Sequence, residues 1–341
     1  MATIINILLT GASGTVGQEL LKCLVAIPEF RITVFDIDNR RTRKVYSAYQ
    51  QRIIFVAGDI GSETDVLKIP PGMDVVIHLA ALIPPLADKL PWLTQRVNVS
   101  GTRFLVSHVQ RTSPNAFFIY SSSVSVYGDR MQNPYIRVSD ALSVREGDVY
   151  GQSKLDAETI VRNSSLNWTV FRLAAIMKNH KISKLMFHMP LDTKLEICTP
   201  EDTARAFLHA IFKSALLKGR IFNLGGGESC CMTYREFLEK SFKIYGLGSF
   251  NFPKHAFAER NFHCGRMVDG DDLEHILNFR RDTFHSYFEK TKSDVNPFLR
   301  FITILFRPII KWVLLAQSEP YKAYRTRDKL QLNHFFKLQT Q

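Results

Sequence analysis

Cysteine is scarce in this sequence, and its arrangement excludes the two structural roles that cysteines most often have. The five cysteines are an odd number, with no Cys-x-x-C pair and no histidines at the spacing of a zinc site. Neither a disulfide framework nor a metal centre is expected, and a reducing cytoplasm fits this usage best. They are Cys23, Cys198, Cys230, Cys231 and Cys264.

A signal peptide and a nucleic-acid motif are missing as well. The first residues, MATIINILLTGASG, contain no basic segment of the kind that opens a secretory signal and run straight into an apolar stretch. No known nucleic-acid motif accompanies the net charge of +12, which therefore indicates solvated surface cations rather than a nucleic-acid partner. Since 45% of the residues are hydrophobic, the chain can bury a substantial core, and a cytoplasmic globular protein is expected.

Short apolar runs, rich in β-branched and aromatic residues, recur along the chain with amphipathic stretches between them. Such runs are typical of strands buried on both faces, and the stretches between them are typical of crossover helices. The sequence therefore predicts an α/β fold with a parallel, doubly wound sheet. The runs are IINILLT (4–10), RITVFD (31–36), RIIFVAG (52–58), DVVIHLA (74–80), AFFIYSS (116–122), WTVFRLA (168–174) and GRIFNLG (219–225).

A glycine-rich segment, TGASGTVG, follows the first predicted strand and precedes an amphipathic stretch that ends before Pro28. Gly11, Gly14 and Gly17 allow a tight turn and a close approach to a pyrophosphate, whose charge would face the start of the next helix. The second predicted strand ends at Asp36, where a carboxylate can accept hydrogen bonds from the ribose of a bound adenosine. These features predict dinucleotide binding in a Rossmann-type sheet.

Residues 3–240 resemble the extended short-chain dehydrogenases/reductases, specifically the NAD-dependent epimerase/dehydratase group. The matching motifs, in order, are TGASGTVG, GDI (58–60), HLAA (78–81), NVSGT (98–102), SSSVSVYG (121–128), YGQSK (150–154), PEDTARA (200–206) and FNLGGGE (222–228). The resemblance implies that Ser123, Tyr150 and Lys154 are catalytic. It also implies cofactor contacts from Gly11, Ser13, Gly14, Thr15, Val16, Gly17, Asp36, Asp59, Ile60, Ala80, Ala81, Asn98, Tyr150 and Lys154.

The spacing of Tyr150 and Lys154 suits acid/base chemistry, because residues four apart share one face of a helix. A free tyrosine has a pKa near 10 and is a poor base at pH 7. The ammonium group of Lys154 is expected to lower the pKa of Tyr150 by favouring its phenolate. Tyr150 would then exchange a proton with a substrate hydroxyl while Ser123 hydrogen-bonds to the same oxygen.

The choice between NAD and NADP depends on the segment DIDNRR (36–41). Asp36 would repel a 2′-phosphate, whereas Arg40 and Arg41 could hold one. NAD is favoured, and NADP remains the alternative.

The residues after the serine run bear on the reaction type. Sugar 4,6-dehydratases typically carry Asp-Glu where this chain has Val124 and Ser125, which argues against dehydration. The segment FRLAAIM (171–177) is apolar where sugar-nucleotide epimerases often bind phosphate, and the loop LIPPLADKLPW (82–92) suits a partly hydrophobic substrate or simply packs. We expect an NAD-dependent oxidoreductase or epimerase acting on a hydroxyl or keto carbon of a nucleotide sugar or of a related lipid-linked or hydrophobic substrate. The alternative is a catalytically silent dinucleotide-binding scaffold or sensor.

The cysteine pair 230–231 and His188 are weaker candidates for functional residues, and each can be interpreted as functional or as structural. Adjacent Cys230 and Cys231 could be redox-active or simply buried small hydrophobic residues, and the second is favoured. His188 could contact substrate, although an isolated histidine is more often structural.

Three regions and a homodimer are expected. The regions are a Rossmann domain over 1–175 with a later strand near 219–225, a reduced substrate lobe over 176–290, and a basic amphipathic tail over 291–341. In relatives the helix with Tyr-x-x-x-Lys and the helix before the serine strand often pair across a dimer. The corresponding apolar candidates, which could instead face the sheet, are Leu155, Ile160, Val161, Phe104, Leu105 and His108.

The tail combines an apolar helix with positive charge. Residues 297–316 read PFLRFITILFRPIIKWVLLA, in which the cations recur at helical spacing as one narrow stripe. Three cations and Pro308 disfavour a membrane span, whereas a helix lying in the membrane interface with its cationic heads at the headgroups is compatible. From 291 to 341 there are nine lysines and arginines against three acidic residues, which is half of the chain's excess charge. A peripheral contact with an inner membrane surface is the hypothesis, and docking on the protein itself or on a partner is the alternative.

Overall fold

The computed structural model describes residues 3–144 and 147–336, and its strands follow the predicted apolar runs. All seven runs form strands of one sheet. The strands are β1 Ile5–Thr10, β2 Phe30–Asp36, β3 Ile53–Ala57, β4 Val75–His78, β5 Phe117–Ser123, β6 Tyr135–Ile136, β7 Asn167–Leu173, β8 Ala175–Ile176, β9 Lys194–Cys198, β10 Arg220–Leu224, β11 Cys231–Thr233 and β12 Arg266–Met267.

The helices lie between these strands and extend beyond the last of them. Short 3-10 or π-helical turns occur at Ser47–Tyr49, Gln95–Ser100, Val124–Tyr127, Lys184–His188 and Glu228–Cys230. The α-helices are α1 Thr15–Val25, α2 Arg40–Tyr46, α3 Glu63–Val66, α4 Leu86–Lys89, α5 Pro91–Thr94, α6 Gly101–Thr112, α7 Val149–Arg162, α8 Pro200–Ile211, α9 Ser214–Leu217, α10 Tyr234–Ile244, α11 Gly270–Leu277, α12 Phe284–Asp294, α13 Pro297–Leu305, α14 Arg307–Ala316, α15 Glu319–Thr326 and α16 Lys329–Phe335.

The main sheet has seven parallel strands in the order β10-β7-β5-β4-β1-β2-β3, which confirms the doubly wound α/β prediction. Successive side chains of a strand point to opposite faces, and here both faces are apolar. In β1, Ile7 and Leu9 pack on the side of α1 and α8, whereas Leu8 packs on the side of α6 and α7. The strand order reverses between β1 and β4, so a crevice opens at the carboxyl ends of these strands, the usual place for a nucleotide in such sheets.

A smaller lobe stands beside the sheet and contains the strand group β8-β9-β11. Its core is dominated by phenylalanine, with Phe187, Phe237 and Phe242 fully buried. Helix α12 crosses the predicted lobe boundary at 290, and Leu314 of the tail packs into the same core. The tail therefore contributes to the core of the lobe, and the predicted region boundaries stay predictions.

The tail differs from the expected single helix with cations at lipid headgroups. The chain breaks at Phe306, and α13 and α14 are two helices because Pro308 fits the first turn of a helix but not its interior. The cations point back at the protein: Arg300 donates to the carbonyl of Ile244 (3.0 Å) and Arg307 to that of Gly246 (3.1 Å). The apolar side faces outward instead. Across residues 3–144 and 147–336, no helix combines the length and hydrophobicity needed to cross a bilayer.

The proposed dimer helices bury part of the surface that had been expected to meet a partner. Leu105, Val161 and His108 are at most 4% exposed and pack within the chain, with the Nε2 atom of His108 at 2.9 Å from the carbonyl oxygen of Ile69. These three residues therefore follow the alternative, in which they face the interior of the chain and not a partner. Phe104, Leu155 and Ile160 are partly exposed.

Candidate active site

The glycine loop has the geometry of a dinucleotide cradle. Gly11 has φ +70°, and a Cβ atom added there would lie 2.7 Å from the backbone of Ala80. A Cβ at Gly17 would lie 2.4 Å from the carbonyl oxygen of Gly11, so both positions require glycine. Helix α1 begins after Gly14, which has no side chain to cap the first turn. The amide groups at this helix start are therefore suited to a phosphate, and Thr15 and Val16 line the same cavity.

Asp36 lies at the end of β2, beside the glycine loop. Its Oδ2 atom accepts hydrogen bonds from the Ser13 amide (3.1 Å) and from the Tyr46 hydroxyl (2.6 Å). Arg41 donates to the carbonyl of Ser13 at 3.1 Å, and both Arg40 and Arg41 are exposed. A carboxylate and a guanidinium thus both lie beside Ser13 in the glycine loop. Tyr46 was missed by the sequence reasoning, because it lies ten residues beyond Asp36 on the next helix.

Three further residues predicted to contact the cofactor follow the carboxyl ends of β3 and β4. Asp59 accepts a hydrogen bond from the Gly61 amide (2.8 Å) and forms an ion pair with Arg96. Ile60 follows it and is 7% exposed. Ala81 lines the cavity beside the end of β4.

Ser123, Tyr150 and Lys154 meet at the carboxyl end of β5. Ser123 is the last residue of β5, and Tyr150 and Lys154 project from the first turns of α7, whose amino end is capped by the side chain of Asp148. The Ser123 hydroxyl is hydrogen-bonded to Tyr150. Lys154 donates from Nζ to the carbonyl of Ser121 at 2.8 Å and lies 5.9 Å from the Tyr150 ring centroid.

Burial decides the ionisation of these groups. It raises the pKa of Tyr150 to about 12, although the Ser123 hydrogen bond lowers it. Burial also lowers the pKa of Lys154 to about 7. The expectation that Lys154 lowers the pKa of Tyr150 is therefore not met in this structure, because burial outweighs the effect of an ammonium group turned toward Ser121.

Asn98 connects the loop 82–92 to α7, the helix that carries Tyr150 and Lys154. It lies in the π-helical turn and is 1% exposed. Its Nδ2 atom donates to the carbonyl of Leu82 (3.0 Å) and to Oγ of Ser153 (2.9 Å), while its Oδ1 atom accepts from the Leu82 amide (2.7 Å). Ser153 is the neighbour of Lys154, so Asn98 fixes α7 against the loop 82–92.

A buried polar network joins α7 to β5 and β7 next to the site, and it was not predicted from the sequence. Arg172 of β7 donates to Glu158 of α7 through two bonds of 2.6 and 3.2 Å, and the Ser122 hydroxyl donates to Glu158 at 3.0 Å. Arg172 also donates to the Tyr127 hydroxyl (2.8 Å), which donates to Asn223 (2.8 Å). A lone arginine in the apolar run WTVFRLA was the signal that could have indicated it, since buried charges are normally paired.

One cavity of about 760 Å³ joins the glycine loop to the group of Ser123, Tyr150 and Lys154 and continues into the small lobe, whereas the predicted contacts Ser13, Asp36, Asp59, Ile60, Ala80 and Asn98 do not line it. It is lined by the glycine loop, by Ser123, Tyr150 and Lys154, and by residues of the lobe and tail. His188 is part of the wall, and its Nε2 atom lies 3.1 Å from Oε2 of Glu319. His334 and Phe335 of α16 also line the cavity, which no pattern in the sequence had indicated.

The adjacent cysteines lie apart from this chemistry. Burial raises the pKa of Cys230 to about 12 and that of Cys231 to about 11. Both thiols are therefore protonated at neutral pH, and neither lines the large cavity.

Comparison with known families identifies the nucleotide-binding part. Residues 8–174 match the profile of the 3-beta hydroxysteroid dehydrogenase/isomerase family. Over these residues, just under half of the chain, the sequence is thus similar to the extended short-chain dehydrogenases/reductases. The chain spans half or less of the length of the first curated relatives it matches.

Two relatives illustrate the range of chemistry in this group. The chain is 33% identical over 158 residues to N-acetyl-alpha-D-glucosaminyl-diphospho-ditrans,octacis-undecaprenol 4-epimerase of Escherichia coli O157:H7, covering 46% of this chain and 43% of that protein. It is 29% identical over 174 residues to the decarboxylating sterol-4-alpha-carboxylate 3-dehydrogenase of Candida albicans, covering 48% of this chain and 47% of that protein.

Solved structures share the fold over most of this chain. UDP-glucuronic acid 4-epimerase from Bacillus cereus, in complex with UDP-glucuronic acid and NAD, superposes with a TM-score of 0.72 at 19% identity, covering 87% of this chain and all of that one. A dTDP-glucose 4,6-dehydratase from Streptomyces venezuelae superposes with a TM-score of 0.68 at 19% identity, covering 85% and 96%. At these identities the likeness establishes the fold alone.

Proposed function

We propose that this protein is an NAD-dependent oxidoreductase or epimerase that acts on a hydroxyl or keto carbon, with Tyr150 as the acid/base group. The observation that carries the proposal is that Ser123, Tyr150 and Lys154 line the same cavity as the glycine cradle. A protein that only bound a dinucleotide would have no use for a tyrosine hydroxyl held by a serine at the open end of the crevice.

The residues fit NAD. Gly11 and Gly17 leave room that a Cβ atom would fill, the start of α1 suits the pyrophosphate, and Asp36 suits the adenosine ribose. Asp59 and Ile60 would lie beside adenine, and Ala80, Ala81 and Asn98 would border the nicotinamide half. Bound there, the nicotinamide would supply the hydride acceptor or donor.

The chain's own residues handle the proton. When the substrate is an alcohol, the Tyr150 oxygen takes the hydroxyl proton as the carbon is oxidised, and it returns the proton when the keto group is reduced. Ser123 hydrogen-bonds to Tyr150 and is placed to donate to the same substrate oxygen. Lys154 lies 5.9 Å from the ring centroid and would favour the phenolate in its protonated form, which must offset the effect of burial on Tyr150 during the transfer.

The substrate we propose is a nucleotide sugar or a related lipid-linked or hydrophobic molecule. Val124 and Ser125 follow Ser123 and provide no carboxylate pair for eliminating water. By their names, the Escherichia coli relative acts on a sugar joined to undecaprenol through a diphosphate, and the Candida albicans relative acts on a sterol. Both substrates have a large apolar part. Nicotinamide absorbance with such substrates tests the class, and bound cofactor without turnover on any of them would favour a silent scaffold.

Cofactor choice gives a direct test. We expect NAD to bind more tightly than NADP, and Asp36→Ala to weaken NAD binding roughly tenfold, because hydrogen bonds to a charged group contribute about 1.5–3 kcal/mol. Arg41→Ala should lower only the affinity for NADP. Titration of each purified variant by calorimetry gives the dissociation constants.

Arg43→Ala is the matched control, since Arg43 lies on the same helix as Arg41, pairs with Asp38 and is 70% exposed. A clear preference of the unmodified protein for NADP, abolished by Arg41→Ala, would overturn the assignment of NAD.

The homodimer also remains a proposal, now through the outer faces of α6 and α7. Phe104, Leu155 and Ile160 are the partly exposed apolar residues that support it. Light scattering coupled to size exclusion should give the mass of two chains, and a single-chain mass at all concentrations would exclude this interface.

We propose that the tail helices hold the protein at an anionic membrane surface. The outer side of α13 and α14, called here the apolar face, carries nine large hydrophobic residues that are 40–69% exposed. A surface of this kind is unusual for a monomer in water. Exposed cations follow it at Lys322, Arg325, Arg327 and Lys329, which would repel a second copy of the tail but attract anionic lipid. The nine are Phe298, Leu299, Phe301, Ile304, Leu305, Phe306, Ile309, Trp312 and Val313.

Flotation with phosphatidylglycerol vesicles at low salt tests the membrane contact. The double variant Phe301→Glu, Trp312→Glu should float at least tenfold less, because each side chain buried in lipid contributes about 1.5–3 kcal/mol. Point variants are preferable to truncation, because Leu314 belongs to the lobe core.

Leu330→Glu serves as the control, since Leu330 is 84% exposed but lies outside the apolar face. Equal flotation of the double variant and the control, or no flotation of the unmodified chain, would refute the membrane contact.

A further inference from the structure

The end of the tail returns to the substrate side of the cavity. Helix α16 places His334 and Phe335 in the cavity wall, where the Phe335 ring centroid lies 5.4 Å from that of His188. Phe335 is 4% exposed, so it is a fixed part of the wall. His334 and Phe335 are more than 180 positions beyond Tyr150 in the sequence.

Specific bonds hold the tail in this position. Glu319 contacts Lys184 at 3.0 Å and His188 at 3.1 Å, and the Ser318 hydroxyl donates to the carbonyl of Ala256 at 2.7 Å. The backbone of Phe335 accepts from the Glu259 amide at 2.8 Å. Apolar contacts among Ala258, Ala323, Phe335 and Phe336 complete the attachment.

The wall is chemically different from the catalytic end. Away from Tyr150 the cavity is lined by thioether, aliphatic and aromatic side chains, while Lys181 and Arg260 supply positive charge. Leu185 is 44% exposed, so the apolar lining reaches the solvent edge. Apolar side chains beside cations suit a ligand with both an apolar chain and an anionic group. The apolar lining residues on this side are Leu185, Met186, Met189 and Phe335, with Ile83 across the opening.

The wall residues of α16 and the apolar face of α13 and α14 belong to one continuous segment of the chain. Helix α14, which carries Trp312, ends at Ala316, and Glu319 contacts the cavity residue His188 three positions later. A molecule whose chain lies in the bilayer would therefore have a short path into the cavity once the apolar face is docked.

We propose that the apolar part of the wall that contains Leu185 and Phe335, called here the tail wall, binds the apolar chain of a membrane-borne anionic lipid. This lipid would be the carrier of the group that reacts at Tyr150. The proposal rests on the proposed function for the reacting end, and it names the substrate as lipid-linked rather than water-soluble. Leu185 and Phe335 would contact the chain, and Lys181 and Arg260 would face the anionic link.

Binding of farnesyl phosphate, measured by calorimetry below its micelle concentration, tests this assignment without needing turnover. It should bind at least tenfold more tightly than inorganic phosphate, because an apolar chain gains free energy on leaving water. Leu185→Glu and Phe335→Ala should each weaken farnesyl phosphate binding about tenfold. Leu330→Glu, on the same helix as Phe335, and Trp312→Glu, on the apolar face, should leave it unchanged.

Each result separates this proposal from the proposed function. If farnesyl phosphate binds no better than phosphate, or if Trp312→Glu weakens it as much as Leu185→Glu does, the tail wall is not a lipid-chain site. Leu185 is partly exposed, so Leu185→Glu tests the wall even where Phe335→Ala disturbs folding. NAD affinity is measured on the same samples: an unmodified chain that binds NAD but not farnesyl phosphate overturns the lipid assignment alone, whereas an unmodified chain that binds farnesyl phosphate but not NAD overturns the proposed function alone.

Discussion

Tyr150→Phe should reduce turnover by roughly a hundredfold to ten-thousandfold while leaving the affinity for NAD nearly unchanged, because it removes the group that exchanges the proton. The ring would still pack between Ser123 and Lys154, so the cavity keeps its shape. Only the hydroxyl is lost. Steady-state rates at saturating cofactor, together with the NAD dissociation constant, separate the chemical step from binding.

Tyr135→Phe is the matched control, since Tyr135 is 51% exposed on β6 and does not line the large cavity. Turnover by Tyr150→Phe at the level of this control would refute the acid/base role. Retained fold must be shown by an unchanged unfolding midpoint, so that a fall in rate is not a fall in the amount of native protein.

The sheet could be predicted from the sequence because strands buried on both faces leave a strong pattern. Each of the seven apolar runs became a strand of the parallel sheet, with ends shifted by only one or two residues. Strands β6, β8, β9, β11 and β12 were not predicted. Four of them have two or three residues each, too few for a periodicity to appear, and β9 has five.

The cofactor half of the site was predictable for a related reason. Contacts such as that of Gly11 with Ala80 depend on the backbone and require particular residue types at fixed positions, which a sequence displays directly. The direction in which the cations of the tail point was not predictable. A stripe of arginines at helical spacing is the same pattern whether the guanidinium of Arg307 meets lipid or the carbonyl of Gly246.

The tail wall of the cavity had no sequence signal either. Phe335 reaches the cavity only because Glu319 and Ser318 are bound at distant points of the lobe. Contacts of this kind depend on the arrangement of helices and strands in space. They cannot be predicted from the composition of the sequence or from the spacing of its residues. The pKa of Tyr150 was misjudged for the same reason, since the degree of burial is a property of the folded chain.

The buried pair of Glu158 and Arg172 links catalysis to stability. Glu158 lies one helical turn beyond Lys154 and binds the hydroxyl of Ser122, the neighbour of Ser123. Its side chain is fully buried, and that of Arg172 is 2% exposed. The pair therefore fixes α7 against β5 and β7, and with them the relative positions of the groups that meet at the cavity.

Arg172→Met should lower the free energy of unfolding by about 3–5 kcal/mol, because it leaves the carboxylate of Glu158 buried with only the Ser122 hydroxyl as a donor. Urea titration, with the slope checked for constancy, measures the loss. Arg43→Met removes an equally short but exposed ion pair and should lower the free energy of unfolding far less.

The double variant Arg172→Met, Glu158→Leu should recover much of the stability, since no unpaired charge is left inside the protein. If Arg172→Met is no more harmful than Arg43→Met, Glu158 is not a buried charge that depends on this arginine. If the double variant is folded yet slow, with normal NAD affinity, then the pair also positions α7 for the reaction, a role that stability alone would not reveal.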